Sequence, residues 1–372
     1  MERRRMHRWF LVGLLTPIAG CVHVPAAGVG KVSEVTFDEM VITGDVELEG
    51  LNDEELFASG TSAYAAKDFR QAARYFTRLC DFHPQSQYLR QAQFNAGLSL
   101  EKLKRWDEAL ARFVELADPA TGQGDALDAA FREAEVLYHL DRYDEATTIL
   151  KTLADRPELP ADKRLEARVQ QGVCEVEAGH LDRAEQTLRD SVTYYQALPD
   201  RELVDEYFPA QAQFFLGELY RLHYEGVELD GNRRVEQLAK DLEYKSELLL
   251  SAQGHYLRAI RMGNGYWATA AGQRIGGLYE SMYDHMVHAP APKELDEVEQ
   301  EAYRGQLRKR IRVLITKAIS VYEHTLQAAE RIGASSPFVQ KTQESLGRMK
   351  ALLLEEARAE DGTTEAPAGP GI

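Results

Sequence analysis

Small and bulky apolar residues recur along the first half of the chain at one fixed beat. Four segments align on an alanine: Lys67-Asp68-Phe69-Arg70-Gln71-Ala72, Lys104-Arg105-Trp106-Asp107-Glu108-Ala109, Asp141-Arg142-Tyr143-Asp144-Glu145-Ala146 and Gly179-His180-Leu181-Asp182-Arg183-Ala184. The alanines follow one another at a nearly constant interval. Twelve positions before each sits another small residue, Gly60, Gly97, Ala134 or Gly172. Four positions after each sits a bulky one, Phe76, Phe113, Leu150 or Leu188. Helical spacing inside such a period predicts pairs of antiparallel helices hinged at a short polar turn and stacked as a solenoid. The small residue has a physical reason. Two helices of a hairpin approach closely only where one lacks a large side chain, and a bulky neighbour fills the remaining gap.

The beat continues, stretched, in the second half. Phe214, Gly217 and Tyr220 keep the register of Phe94, Gly97 and Leu100, after which Glu225–Asn232 replaces the short hinge. A helix from about Arg233 to Met262 follows, in which Ala252, Tyr256 and Ala259 repeat the second-helix pattern. Gly263-Asn264-Gly265 breaks it, and another helix runs from Tyr266 to about Met286. After a proline link at 288–292, a helix from about Leu295 to Ile332 carries Ala318, Tyr322 and Leu326 in the same pattern. Ser335-Ser336-Pro337 signals the start of a last helix to about Ala357. At the front, Asn52 or Asp53 suits an N-cap, and Val35–Glu49 alternates around a Gly turn as a short strand or hairpin would.

The small–apolar first helix, the turn, and the aromatic-x-x-Ala-x-x-x-Phe second helix resemble the tetratricopeptide repeat (TPR) family. The period here is a few positions longer than is usual there. The resemblance implies an all-α, right-handed superhelical solenoid of antiparallel helix pairs, with longer irregular helices in the C-terminal half. It implies a shape and no reaction. The expected organisation is a leader at 1–20, a tether at 21–50, repeats at 51–225, an extended helical half at 226–358, and a polar, disordered tail at 359–372.

Composition and charge narrow the function. The formal net charge is −16, and Arg3, Arg4, Arg5 and Arg8 fall in the leader, so the body is more acidic still. No basic stripe remains for nucleic acid or anionic lipid. The four arginines precede a short apolar run, Trp9–Ile18, and then Ala19-Gly20-Cys21. That run is too short to span a bilayer and has the layout of an export signal. Ile18-Ala19-Gly20-Cys21 resembles the bacterial lipobox, which implies cleavage before Cys21, its lipidation, and stable anchoring by several acyl chains. Val22 in place of Asp implies, by the same resemblance, the periplasmic side of the outer membrane. Cys80 and Cys174 fall in non-adjacent repeats and read as small buried hydrophobes rather than a bridge.

No phosphate-binding glycine loop, nucleophile elbow or zinc-peptidase motif occurs. His285-x-x-His288 beside Asp284 is the best metal-like cluster and reads as surface histidines at a helix end. The expectation is therefore a non-enzymatic protein with no cofactor and no metal.

The TPR resemblance implies that the first helix of each repeat lines the concave face. Its contact positions here give Phe57, Phe94, Phe131, Val169 and Phe214, then Tyr64, Glu101, Lys102, Tyr138 and His139. Such an aromatic row with polar neighbours either receives a peptide or partner helix or packs as a semi-buried seam. The functional expectation is a lipid-anchored periplasmic adaptor that binds other envelope proteins and helps assemble an envelope machine. It is similar in type to TPR lipoproteins of outer-membrane barrel assembly, pilus-secretin assembly and gliding motility. The alternative is a cell-wall-directed enzyme or metal-dependent accessory centred on the C-terminal half.

Overall fold

The computed structural model describes residues 47–117, 125–199, 204–230, 232–289, 291 and 294–364. The leader, Cys21 and the expected tether as far as residue 46, including most of Val35–Glu49, lie outside them. Among the described residues there are thirteen helices and no strand. The fold is all-α and TPR-like, and the chain divides into two compact units, at Ile149/Leu150.

The first unit contains α1 (Asp53–Ala65), α2 (Phe69–Phe82), α3 (Leu89–Lys102), α4 (Trp106–Ala117), α5 (Asp125–His139) and the start of α6 (Tyr143–Ala154). Asn52 caps α1, accepting from the Glu55 amide while Glu55 accepts from the Asn52 amide. Each of α1 to α4 packs on the next helix along the chain. Gly60 and Gly97 face the fully buried rings of Phe76 and Phe113, where a β-carbon would come within 2.7 Å and 2.5 Å. The expected small–bulky pairing is thus the contact that sets the hairpin spacing.

The hinges share one backbone geometry. The amides of Lys67 and Asp68 close α1 onto the carbonyls of Tyr64 and Ala63, and Lys104–Arg105 and Asp141–Arg142 do the same for α3 and α5. This closure puts its first residue in the left-handed region of backbone space. The φ angles are 63° at Lys67, 59° at Lys104 and 61° at Asp141. In the fourth hinge that place goes to Gly179, with φ 81°. Glycine has no β-carbon to resist it.

The second unit contains the end of α6, then α7 (Ala161–Glu177), α8 (Leu181–Ala197), α9 (Tyr207–Gly226), α10 (Val235–Arg261), α11 (Gly265–Val287), α12 (Glu297–Arg331) and α13 (Pro337–Thr364). From α7 on, each helix packs on the next, and α7, α9, α11 and α13 also touch in series. The small–bulky pairing persists as Gly172 on Leu188, Gly217 on Tyr256 and Gly276 on Tyr322.

The loop after α9 is closed from within. The buried Lys245 donates from Nζ to the carbonyls of Tyr224 and Val227, each at 2.7 Å. It thereby satisfies the end of α9 where a hinge would have done so. Pro337 opens α13 as expected. That helix runs on to Thr364, past the expected stop near Ala357, because Glu355–Glu360 is a run of good helix formers.

Cys80 and Cys174 are free and buried, as expected, and burial pushes the Cys80 thiol up to about 12. His288 is exposed, but His285 is half-buried, correcting its reading as a surface residue. Its Nδ1 lies 3.4 Å from the Tyr224 hydroxyl. No group of three or more potential metal-ligating side chains assembles among the described residues, and no described helix is long and apolar enough to cross a membrane.

Candidate functional site

In the first unit, the first-helix positions fall into three kinds. Phe57, Phe94 and Phe131 are half-buried. Phe57 stacks on Tyr88 at 4.8 Å, and Phe94 meets Phe113 edge-on at 5.7 Å. These two rings lean on aromatic neighbours and leave part of their surface to solvent. His139 is likewise half-buried and stacks on Trp106 at 4.1 Å.

Tyr138, by contrast, is 1% exposed and edges against Tyr143, so it belongs to the core and not to a partner-facing row. In the second unit Val169 and Phe214 are also buried, at 0% and 1%. Phe214 is covered by Trp267 at 5.0 Å and Tyr256 at 5.4 Å, which the long α10 and α11 bring over it. Tyr138 and Phe214 are therefore corrected from candidate contacts to core.

The third kind is charged. Glu101, four positions after Gly97, meets Arg132 of α5 at 3.5 Å, and Arg132 meets Glu135 at 2.8 Å. The Glu101 side chain is only 9% exposed, and its Oε1 is buried without a hydrogen-bond partner. Burial, then the like charge of Glu135, pushes its carboxyl up to about 8, against the pull of Arg132 and Lys102. The half-buried Tyr64 of α1 has its hydroxyl pKa raised by burial, and it feels the same Arg132 and Glu101. Lys102 is exposed beside them. Tyr64, Glu101 and Lys102 thus form one cluster with Arg132 and Glu135, which periodicity alone did not single out. The signal was register. Arg132 stands two positions before Ala134, as Arg274 stands two before Gly276, and both reach back to a carboxylate of the preceding first helix.

In the second unit Glu218 of α9 is 2% exposed and is met by Arg274 of α11 at 2.9 Å, by Arg221 at 3.0 Å, and by the Tyr256 hydroxyl of α10. Burial alone would raise its carboxyl, but Arg221, Arg274 and the tyrosine outweigh it and hold the group at about 2. One repeat on, Glu280 of α11 accepts from Tyr322 of α12 at 2.9 Å and pairs with Arg348 of α13 at 3.2 Å. These two relays are structural, each tying three successive helices. Glu101 differs in retaining a bare oxygen.

Two of the repeats match a known family. Residues 56–86 and 91–118 fit the family model described as tetratricopeptide repeat. Among solved structures, a tetratricopeptide repeat protein from Parabacteroides merdae is 14% identical, with 80% of this chain and 98% of that one covered and a TM-score of 0.36. A TPR repeats protein from Bacteroides fragilis is 14% identical over 62% of this chain and 99% of that one, TM-score 0.30. Yeast Tom70 is 11% identical over 81% of this chain and 77% of that one, TM-score 0.28. No curated protein matches the chain. Residues 56–86 and 91–118 are thus tetratricopeptide repeats, and the same small–bulky pairing recurs in three later hairpins.

Proposed function

We propose that this protein is a lipid-anchored adaptor, held by Cys21 at the periplasmic side of an outer membrane and engaged in assembling an envelope machine. The coarse part of that role follows from the repeats, which serve as scaffolds for binding other proteins. The observation that carries it here is the set of half-buried rings Phe57, Phe94 and Phe131 on successive first helices, together with the Glu101 carboxyl oxygen that has no partner in the same unit. Half-buried aromatic rings offer apolar area at low entropic cost, and a carboxyl oxygen short of a partner favours a hydrogen-bond donor from outside. The anchor is supported by the arginine-rich start, the short apolar run and Ile18-Ala19-Gly20-Cys21. In this reading the work is binding, not catalysis.

Two measurements in intact cells test it. A photocrosslinking amino acid at Phe94 or Lys102 should capture a discrete envelope partner, and the same residue at the exposed Lys240 of α10 should not. Cys21→Ser should move the protein from the membrane fraction to the soluble one. Capture that is equal at all three sites, or a Cys21→Ser protein that still sediments with membranes, would overturn the respective half.

A further inference from the structure

A second surface, in the other unit, has a chemistry of its own. An open cleft of about 350 Å³ lies along α10, lined by Tyr220 of α9 and by Leu250, Ser251, Gly254, His255 and Arg258 of α10. Its floor is fixed. The Tyr220 ring stacks parallel on the buried His255 at 5.4 Å, and its hydroxyl donates to Glu185 at 3.0 Å while accepting from Arg189 at 2.9 Å.

The wall carries an oriented cation. Arg258 donates from Nε to Gln213 Oε1 at 3.1 Å, and the same oxygen lies 3.0 Å from His255 Nδ1. A buried neutral amide therefore sets the guanidinium's direction, and no carboxylate pairs with it among the described residues. Burial and the nearby Arg258 and Arg189 hold the His255 imidazole down to about 4, so the floor stays neutral. Arg189, itself paired with Glu185 at 2.7 Å, and Arg261 also press on Arg258. Gly254, one turn before Arg258, keeps the cleft open, with nothing nearer to its missing β-carbon than the guanidinium at 3.7 Å. The exposed Leu250 (62%) supplies an apolar border.

We infer that this cleft is a second docking site, taking a partner segment that presents a carboxylate next to an aliphatic side chain. With Nε engaged by Gln213, the two terminal nitrogens remain as an end-on fork, which a planar carboxylate matches with two parallel hydrogen bonds. The aliphatic neighbour lies on Leu250 and the Tyr220 ring. A phosphoryl dianion fits less well, since one guanidinium leaves half its charge uncompensated in the field of an acidic protein.

The minimal probe is N-acetyl-leucine, observed by saturation-transfer NMR with the full chain, with N-acetyl-leucinamide as its uncharged counterpart. The acid should bind in the millimolar range and the amide about tenfold more weakly or worse. Arg258→Gln should remove the acid's signal, and Arg258→Lys should restore only part of it. Gly254→Leu fills the cleft while improving helix propensity, so it should abolish binding with the thermal midpoint unchanged or raised. Equal binding of acid and amide, binding that survives Arg258→Gln, or no signal from the acid at about 10 mM would each overturn the assignment. So would inorganic phosphate displacing the acid at lower concentration than acetate does.

Discussion

Gly217 of α9 lies flat against the ring of Tyr256 of α10, where a β-carbon would come within 2.6 Å of the ring edge. Gly60 meets Phe76 in the same way, although the second pair is far closer in sequence than the first. The contact between the helices is kept while the chain between them more than doubles. Tyr256 also does what Phe76 cannot, because its hydroxyl reaches the buried Glu218. The stretched hairpin thus keeps the close approach and adds a polar lock.

Filling that approach should be costly. Gly97→Ala and Gly217→Ala each force a fully buried aromatic ring aside and should destabilise by about 1–3 kcal/mol. Gly277→Ala is the control, since its β-carbon would find only the Tyr322 hydroxyl, at 3.9 Å. Alanine there favours a helix by roughly 1 kcal/mol over glycine. Urea midpoints decide it. A Gly97→Ala protein as stable as Gly277→Ala would mean that the rings move freely.

The hinges predict the opposite sign. Lys67 and Lys104 sit in the left-handed region, which costs an L-residue roughly 1–2 kcal/mol. Glycine there relieves the strain but adds freedom to the unfolded chain. Lys104→Gly should therefore stabilise by about 0.5–1 kcal/mol, read as a higher thermal midpoint. A lower midpoint would show that the lysine side chain contributes more than the backbone loses.

The hinge shows what was legible in the sequence and what was not. Gly60, Gly97, Gly172 and Gly217 stand out in the sequence as small residues at one register position, because close helix approach has few chemical solutions. The same periodicity could not separate Phe94 from Phe214, both three positions before a glycine. What separates them is how the long α10 and α11 bring Tyr256 and Trp267 over Phe214. The Arg258 cleft was invisible for a related reason. Its residues come from two helices joined by an irregular loop, and only their packing brings Tyr220 to His255.

Glu101 should make the first unit sensitive to pH. Burial, then the like charge of Glu135 of α5, pushes its carboxyl up to about 8 from an ordinary 4.5, against Arg132 of α5 and Lys102 of α3, with Tyr64 of α1 in the same field. The folded state therefore holds a proton that the unfolded chain has released. The contribution is complete below about pH 4.5 and is lost as pH rises through about 8. Glu101→Gln should flatten that slope and stabilise by about 1–2 kcal/mol at pH 8 while changing little at pH 5. Melting curves at both values test it, and parallel shifts at the two would rule the titration out.

Lys245 should be structural. Lys245→Met keeps the length of the stem but leaves the Tyr224 and Val227 carbonyls without their donor. That loss should cost about 2–3 kcal/mol. Hydrogen exchange should locate it at the end of α9. Unchanged protection there would mean that water replaces the ammonium group.

The widening interval between paired residues also bears on the order in which the chain gains structure. Gly60 and Phe76 close a short loop, while Gly276 and Tyr322 must close one nearly three times as long. On a logarithmic closure law that difference amounts to about 0.9 kcal/mol of extra chain entropy before the first contact forms. The short hairpins are thus the natural nucleation points, and structure propagates from them toward the C-terminus. A growing chain leaving the ribosome presents its quickest-folding hairpins first, so each later, slower pair condenses against a surface already formed.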